Sequence, residues 1–237
     1  MKWKIALAFL IMFVGVSGVR CAPDVATAAI SKVYSSYRIA LSYLRSGETE
    51  LGGISLATFI DEWSVLDERL TANPPAPFDK DPQFTVTLAD VLKHAQDSRE
   101  RLVQGDVTGA VTELEPIRSI LAQMRHRNGV RTLSDCIDDI GAKMDRLQAM
   151  RDANFNSADQ QQVEIAQEIV GSLSSVLRAC QQQSPEKNQD QYNRLIDQAF
   201  SSVESAKEAL ATHDSDRFIR IVRELRSIDR ILFQQFG

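Results

Sequence analysis

The chain has 237 residues, 43% of them hydrophobic and 25% charged, the balance of a soluble globular protein. Its formal net charge of −5 excludes a nucleic-acid surface, because phosphate binding needs a basic footprint. Glycine and proline are few, 11 and 7, and most stand between periodic segments, which favours helices over a sandwich of short strands.

Residues 1–22 read as a secretory signal peptide. Lys2 and Lys4 give a basic start, Ile5 to Val16 is an unbroken apolar run, and Ser17 and Gly18 follow. The run is too short for a comfortable membrane span. Arg20 stands where a lipoprotein signal places a small residue, which argues against lipidation at Cys21. Losing Lys2, Lys4 and Arg20 takes the basic count from 27 to 24 against 32 acids, a net charge of −8. The expected product is periplasmic or secreted, with no stable membrane span.

Apolar spacing of three and four then predicts helices in order. The first covers roughly 24–45 through Ile30, Tyr34, Tyr37, Leu41 and Leu44, and ends at Ser46-Gly47. Gly52-Gly53 leads into a second over about 54–72, with Phe59, Trp63, Leu66 and Leu70 on one face. AsnProProAlaPro at 73–77 breaks the chain, since proline removes a donor and fixes the backbone. A third helix runs about 84–103. A fourth starts at Val107 and passes through Leu114, Ile117, Leu121 and Met124, with a kink expected at Pro116. After AsnGly at 128–129, Ser134 can cap a fifth helix over 134–151. Three more follow at about 158–182, 189–211 and 214–235.

The fourth stripe recurs at the end of the chain. A shift of 111 carries Val107, Ala110, Val111, Leu114, Ile117, Ile120 and Leu121 onto Phe218, Ile221, Val222, Leu225, Ile228, Ile231 and Leu232. The same shift carries Phe59 to Val170, Leu66 to Leu177 and Ala95 to Ala206, and fails only for the first helix of each half. The expected fold is therefore all-α: two tandem antiparallel four-helix modules, 23–130 and 131–237, of about eight helices in all.

Cys136 opens the first helix of the second module and Cys180 closes its second helix, so antiparallel packing brings them together. In an exported protein that reads as a disulfide, with two buried thiols as the alternative. Met124, His126 and Met144 are the candidate metal ligands, because thioether and imidazole suit copper. The same residues also fit a core stripe and a basic helix end. Asp135, Asp138 and Asp139 crowd a helix start without the spacing of an EF-hand loop, and answer the helix dipole. Arg118, Arg125, Arg127 and Arg131, with Arg217, Arg220, Arg223, Arg226 and Arg230, fit salt bridges between modules or a small anionic ligand. No GxSxG, Gly-rich phosphate loop, ExxH or HxxxH occurs, so no catalytic residue is assigned.

Exported four-helix modules of about 100 residues resemble the cytochrome c prime and haem-b four-helix cytochromes of the bacterial periplasm. The haem-attaching CxxCH is absent: its places read ArgHisArgAsnGly at 125–129 and PheGlnGlnPheGly at 233–237. The resemblance implies an alternative role in handling non-covalent haem or copper, through His126. The first reading is a non-enzymatic binding or scaffold protein without cofactor, whose partner is another periplasmic protein or a small anionic ligand.

Overall fold

The computed structural model describes residues 25–183, 185 and 187–237. The expected signal peptide, residues 1–22, lies outside them. The described residues form eight α-helices: α1 (Val25–Ser46), α2 (Thr49–Ala72), α3 (Phe84–Val103), α4 (Val107–Arg127), α5 (Leu133–Asp152), α6 (Gln160–Gln181), α7 (Gln189–Ala211) and α8 (Ser215–Phe236). A short 3-10 turn, Phe78–Lys80, sits between α2 and α3, and no strand occurs among the described residues. The protein is all-α.

Each helix packs on the next, and the order of neighbours closes twice. α1 meets α2, α2 meets α3, α3 meets α4 and α4 returns to α1; α5, α6, α7 and α8 repeat the circuit. α1 also meets α8, so the two circuits touch. The buried apolar residues form one connected cluster from Ala26 to Phe236. In the first circuit an aromatic run fills the interior: Tyr34 stacks on Tyr37, and Tyr37, Phe59 and Trp63 follow at centroid spacings of 5.7 and 5.6 Å. The Trp63 indole donates to the carbonyl of Leu88 at 3.0 Å, which fixes the height of α2 against α3.

Helix ends follow the local chemistry of caps. Asp106, Asp159 and Asp214 are N-caps whose carboxylates accept amides from Gly109, Gln161 and Arg217. Two expectations change. The second helix was expected to begin after Gly52-Gly53; α2 begins at Thr49 and includes both glycines. Gly52 lies against α1, where a Cβ would stand 2.5 Å from Leu44 Cδ2 and 3.2 Å from the Leu44 backbone nitrogen, so close packing and not a break explains it. Thr132, not Ser134, is the N-cap of α5, and Ser134 is buried inside that helix. Helix α4 continues through Pro116; the carbonyl that loses its donor belongs to Thr112, an exposed residue that water can reach.

The turns also set the offset between the two circuits. Gly105 has φ +80°, the amide of Asp106 donates to Arg101 O at 2.9 Å, and Asp106 then caps α4. His213 has φ +52°, the amide of Asp214 donates to Ala209 O at 2.9 Å, and Asp214 caps α8. These are equivalent Schellman-type turns at an offset of 108, not 111. At 108, all six buried positions of α3 fall on buried positions of α7, and all six of α4 on buried positions of α8. The difference of three residues is nearly one helical turn, a slip that an apolar stripe tolerates and a cap does not.

Candidate functional site

Where the circuits meet, α1, α4, α5 and α8 enclose a cluster of charged groups, of which Arg38, Arg125, Asp135 and Asp229 are buried and Arg118, Asp138 and Arg226 half-buried. It starts from the short connection between α4 and α5. Arg125 lies in the last turn of α4, where a cation complements the carbonyl end of the helix dipole. Asp135 lies in the first turn of α5, where an anion complements the amide end. The connection folds one onto the other. Arg125 donates from Nε at 2.9 Å and from a terminal nitrogen at 2.6 Å to Asp135 Oδ1. The second carboxylate oxygen accepts the Thr132 amide at 2.7 Å and its hydroxyl at 3.0 Å. The two side chains are only 7% and 1% exposed.

Two turns back along α4 and one turn further along α5, Arg118 pairs with Asp138 through Nε and also donates to the Ile137 carbonyl at 3.2 Å. Asp138 stands 3.9 Å from Arg125 as well, so the two pairs form one network. The Arg118 guanidinium lies 4.6 Å over the ring centroid of Phe233, bringing α8 into the cluster. From α1, Arg38 donates to the carbonyls of Phe233 and Gln234 at 3.0 and 3.1 Å, capping the end of α8. Arg226 of α8 reaches Asp145 of α5 and Asp229 of its own helix, both at 2.9 Å.

Burial governs the protonation of these groups. It raises the Asp138 carboxyl above the ordinary carboxylate range, with Arg118 opposing. It raises Asp229 too, against the pull of Arg226 and Arg118. Burial also lowers the Arg38 guanidinium and lifts the Tyr34 and Tyr37 phenols well above their usual value, so both stay protonated at neutral pH. Asp229 Oδ1 and Arg38 Nε are buried without a hydrogen-bond partner among the described residues. Apart from Arg38, whose partners are carbonyls, each arginine of the cluster meets an aspartate, and the pairs fix how the helices cross. Charged pairs at a packing interface disfavour other registers, since any slip leaves a buried charge unpaired.

The candidate ligands are placed apart in kind. Met124 and Met144 are core residues, 0% and 1% exposed. His126 points outward at the end of α4: its side chain is 45% exposed, with Nε2 2.9 Å from Arg131 and 3.7 Å from Asp135 Oδ1. Among the described residues no group of three or more His, Cys, Asp or Glu side chains is placed to hold a metal ion. Asp139 pairs with Arg131 at 3.6 Å on the surface. The three carboxylates at the start of α5 therefore each meet an arginine. Cys136 and Cys180 form a disulfide, with S–S 1.99 Å and Cα–Cα 5.6 Å. A second polar group clasps two turns: Ser215 donates to Ser157 Oγ at 2.7 Å and His213 Nδ1 meets the Ser157 carbonyl at 2.8 Å. The imidazole bonds a backbone carbonyl there, not a serine hydroxyl, so the trio is a structural clasp and no activated nucleophile.

Sequence reasoning picks out the arginines of α4 and α8, with Asp229 among the latter, and the aspartates of α5, but neither Arg38 nor the burial of Asp229. Their signal was a charged residue on an apolar stripe: Arg38 between Tyr34 and Leu41, and Asp229 between Leu225 and Leu232. The chain matches no protein-family model, no curated protein and no solved structure. Nothing in these comparisons identifies a four-helix cytochrome.

Proposed function

We propose that this chain is an exported, non-enzymatic helical protein that works as a binding or scaffold partner, without a covalent cofactor, and that its two circuits are tandem four-helix modules acting as one rigid piece. The observation that carries this reading is where unsatisfied side chains lie. At the junction, nearly every charged group is spent on another group of the same chain. On the outside, Leu51, Ile54 and Val65 of α2 are 46%, 61% and 70% exposed. On α8, Arg220, Arg223 and Arg230 are exposed with no ion pair among the described residues. Apolar and cationic side chains left open on helix faces are what a protein partner recognises.

Purification of the exported protein from the periplasm, with an absorption spectrum and elemental analysis, tests the reading against haem or copper handling. The binding reading expects a colourless, metal-free protein. A haem band, or stoichiometric copper, iron or zinc lost in His126→Ala, overturns it and assigns the chain to a carrier or redox role. Site-specific photo-crosslinking from Val65 supplies the positive arm: discrete adducts are expected there and not from a control position such as Glu164 on α6.

A further inference from the structure

Resting on the binding reading, we propose that one partner of this chain is a second copy of itself, with the outer face of α8 on one copy docked against the outer face of α2 on the next. The two faces complement each other in charge, spacing and bulk. α8 carries five arginines. Arg217 is paired with Glu208 at 2.8 Å, and Arg226 with Asp145 and Asp229. Arg220, Arg223 and Arg230 are exposed and have no carboxylate partner among the described residues. The chain has 32 acids for 27 basic residues, so free arginines in a line are not what its own composition favours. Arg220, Arg223, Ser227 and Arg230 follow a spacing of three, four and three, which puts them on one stripe.

α2 carries the matching pattern. Glu62 is bonded to Ser36 and Asp67 to Thr71, but Glu50, Asp61 and Glu68 are exposed with no partner among the described residues. Asp61, Val65 and Glu68 stand at i, i+4 and i+7, the spacing of Arg223, Ser227 and Arg230. Seven residues of helix are about 10 Å, so both charge pairs close at once when the helices lie side by side. Between them the bulky Val65, 70% exposed, meets the small Ser227. The Ser227 hydroxyl is already bonded to the Arg223 carbonyl at 3.1 Å, so apolar contact there leaves no donor stranded. Ile231, 37% exposed beside the stripe, adds apolar area.

The contact joins two different faces, so it is head-to-tail. Copies add on until a ring closes or a filament grows. It is also electrostatic and exposed, hence sensitive to salt.

Sedimentation velocity of the exported protein tests this. In low salt, the weight-average sedimentation coefficient is expected to rise with concentration beyond that of a dimer. It is expected to return to the monomer value in about 0.5 M sodium chloride, where the screening length falls to about 4 Å. Arg223→Glu/Arg230→Glu and Asp61→Lys/Glu68→Lys are each expected to abolish the rise, and an equimolar mixture of the two to restore it, because the two reversed faces pair with each other and so do the two native ones. Circular dichroism checks that these surface variants stay folded. A monomer at all concentrations, or association unchanged in both variants, overturns the self-contact. If the self-contact fails while Val65 crosslinks a different periplasmic protein, the binding reading stands alone. If Val65 crosslinks nothing, both fail.

Discussion

Asp135→Ala is the sharpest probe of the junction. The substitution strips Arg125 of the carboxylate that takes two of its hydrogen bonds, at 2.9 and 2.6 Å, inside a site where the arginine side chain is 7% exposed. Breaking a buried pair from one side costs about 3–5 kcal/mol, because the remaining charge stays buried, and Asp138, 3.9 Å from Arg125, offsets only part of it. The same change frees the Thr132 amide and hydroxyl at the start of α5, adding about 1 kcal/mol for a lost cap. The expected loss is therefore about 4–6 kcal/mol, seen in urea denaturation, or a fall in melting temperature of roughly 8–24 °C for a chain of this size. Removing both partners should cost much less than the sum. In Arg125→Met/Asp135→Ala no charge is stranded, and the expected loss shrinks to about 1–2 kcal/mol. The two singles and the double, followed by circular dichroism at 222 nm, complete the cycle. If Asp135→Ala costs under about 1 kcal/mol, or the double is as unstable as the single, the pair is not the buried, coupled anchor described above.

Three further outcomes are expected. Cys136→Ser/Cys180→Ser opens a covalent loop with a sequence separation of 44 and should lose about 2–4 kcal/mol in urea, while the oxidised parent shows no free thiol at these positions under denaturing thiol titration. Gly52→Ala pushes a methyl into Leu44 and its backbone, and should cost about 1–3 kcal/mol; a neutral or stabilising result would show that α1 and α2 are not so closely packed there. Asp229 has a folded-state affinity for protons raised by burial, with Arg226 opposing. Between its unfolded value, about 3.9, and its higher folded value, the native state holds the extra proton, so its contribution to stability falls as pH rises through that window. The stability of Asp229→Asn relative to the parent should therefore grow with pH across the window and level off above it. A gap that shrinks with rising pH would contradict a raised Asp229.

Much of the fold was legible because helices are written locally. The stripe Leu114, Ile117, Leu121 and Met124 marks α4 without reference to any other part of the chain, and all four are fully buried. Gly105-Asp106 and the proline run after Asn73 mark ends for similar local reasons. Gly52 misled because its role is not local: a glycine pair inside a helix looks like a break until α1 is laid across it. The disulfide was legible from the positions of Cys136 and Cys180 at opposite ends of consecutive helices. The arginine and aspartate runs were visible as surface chemistry, and their use was not, since two clusters on neighbouring helices become a network only once α4 and α5 fold back on each other.

By itself the sequence determined the number, type and approximate limits of the helices, because backbone hydrogen bonding and apolar period are set within a few turns. It also determined that charge is concentrated at the end of α4, the start of α5 and along α8. Only the tertiary structure decided the offset of 108 between the two circuits, since a helical stripe repeats nearly every three to four residues and a cap does not. Only it decided that Arg118, Arg125 and Arg38 turn inward while Arg220, Arg223 and Arg230 stay open. These arginines are chemically identical in the sequence. What separates them is the carboxylates and carbonyl ends that packing brings within reach, because a guanidinium is buried only where a partner offsets the loss of water.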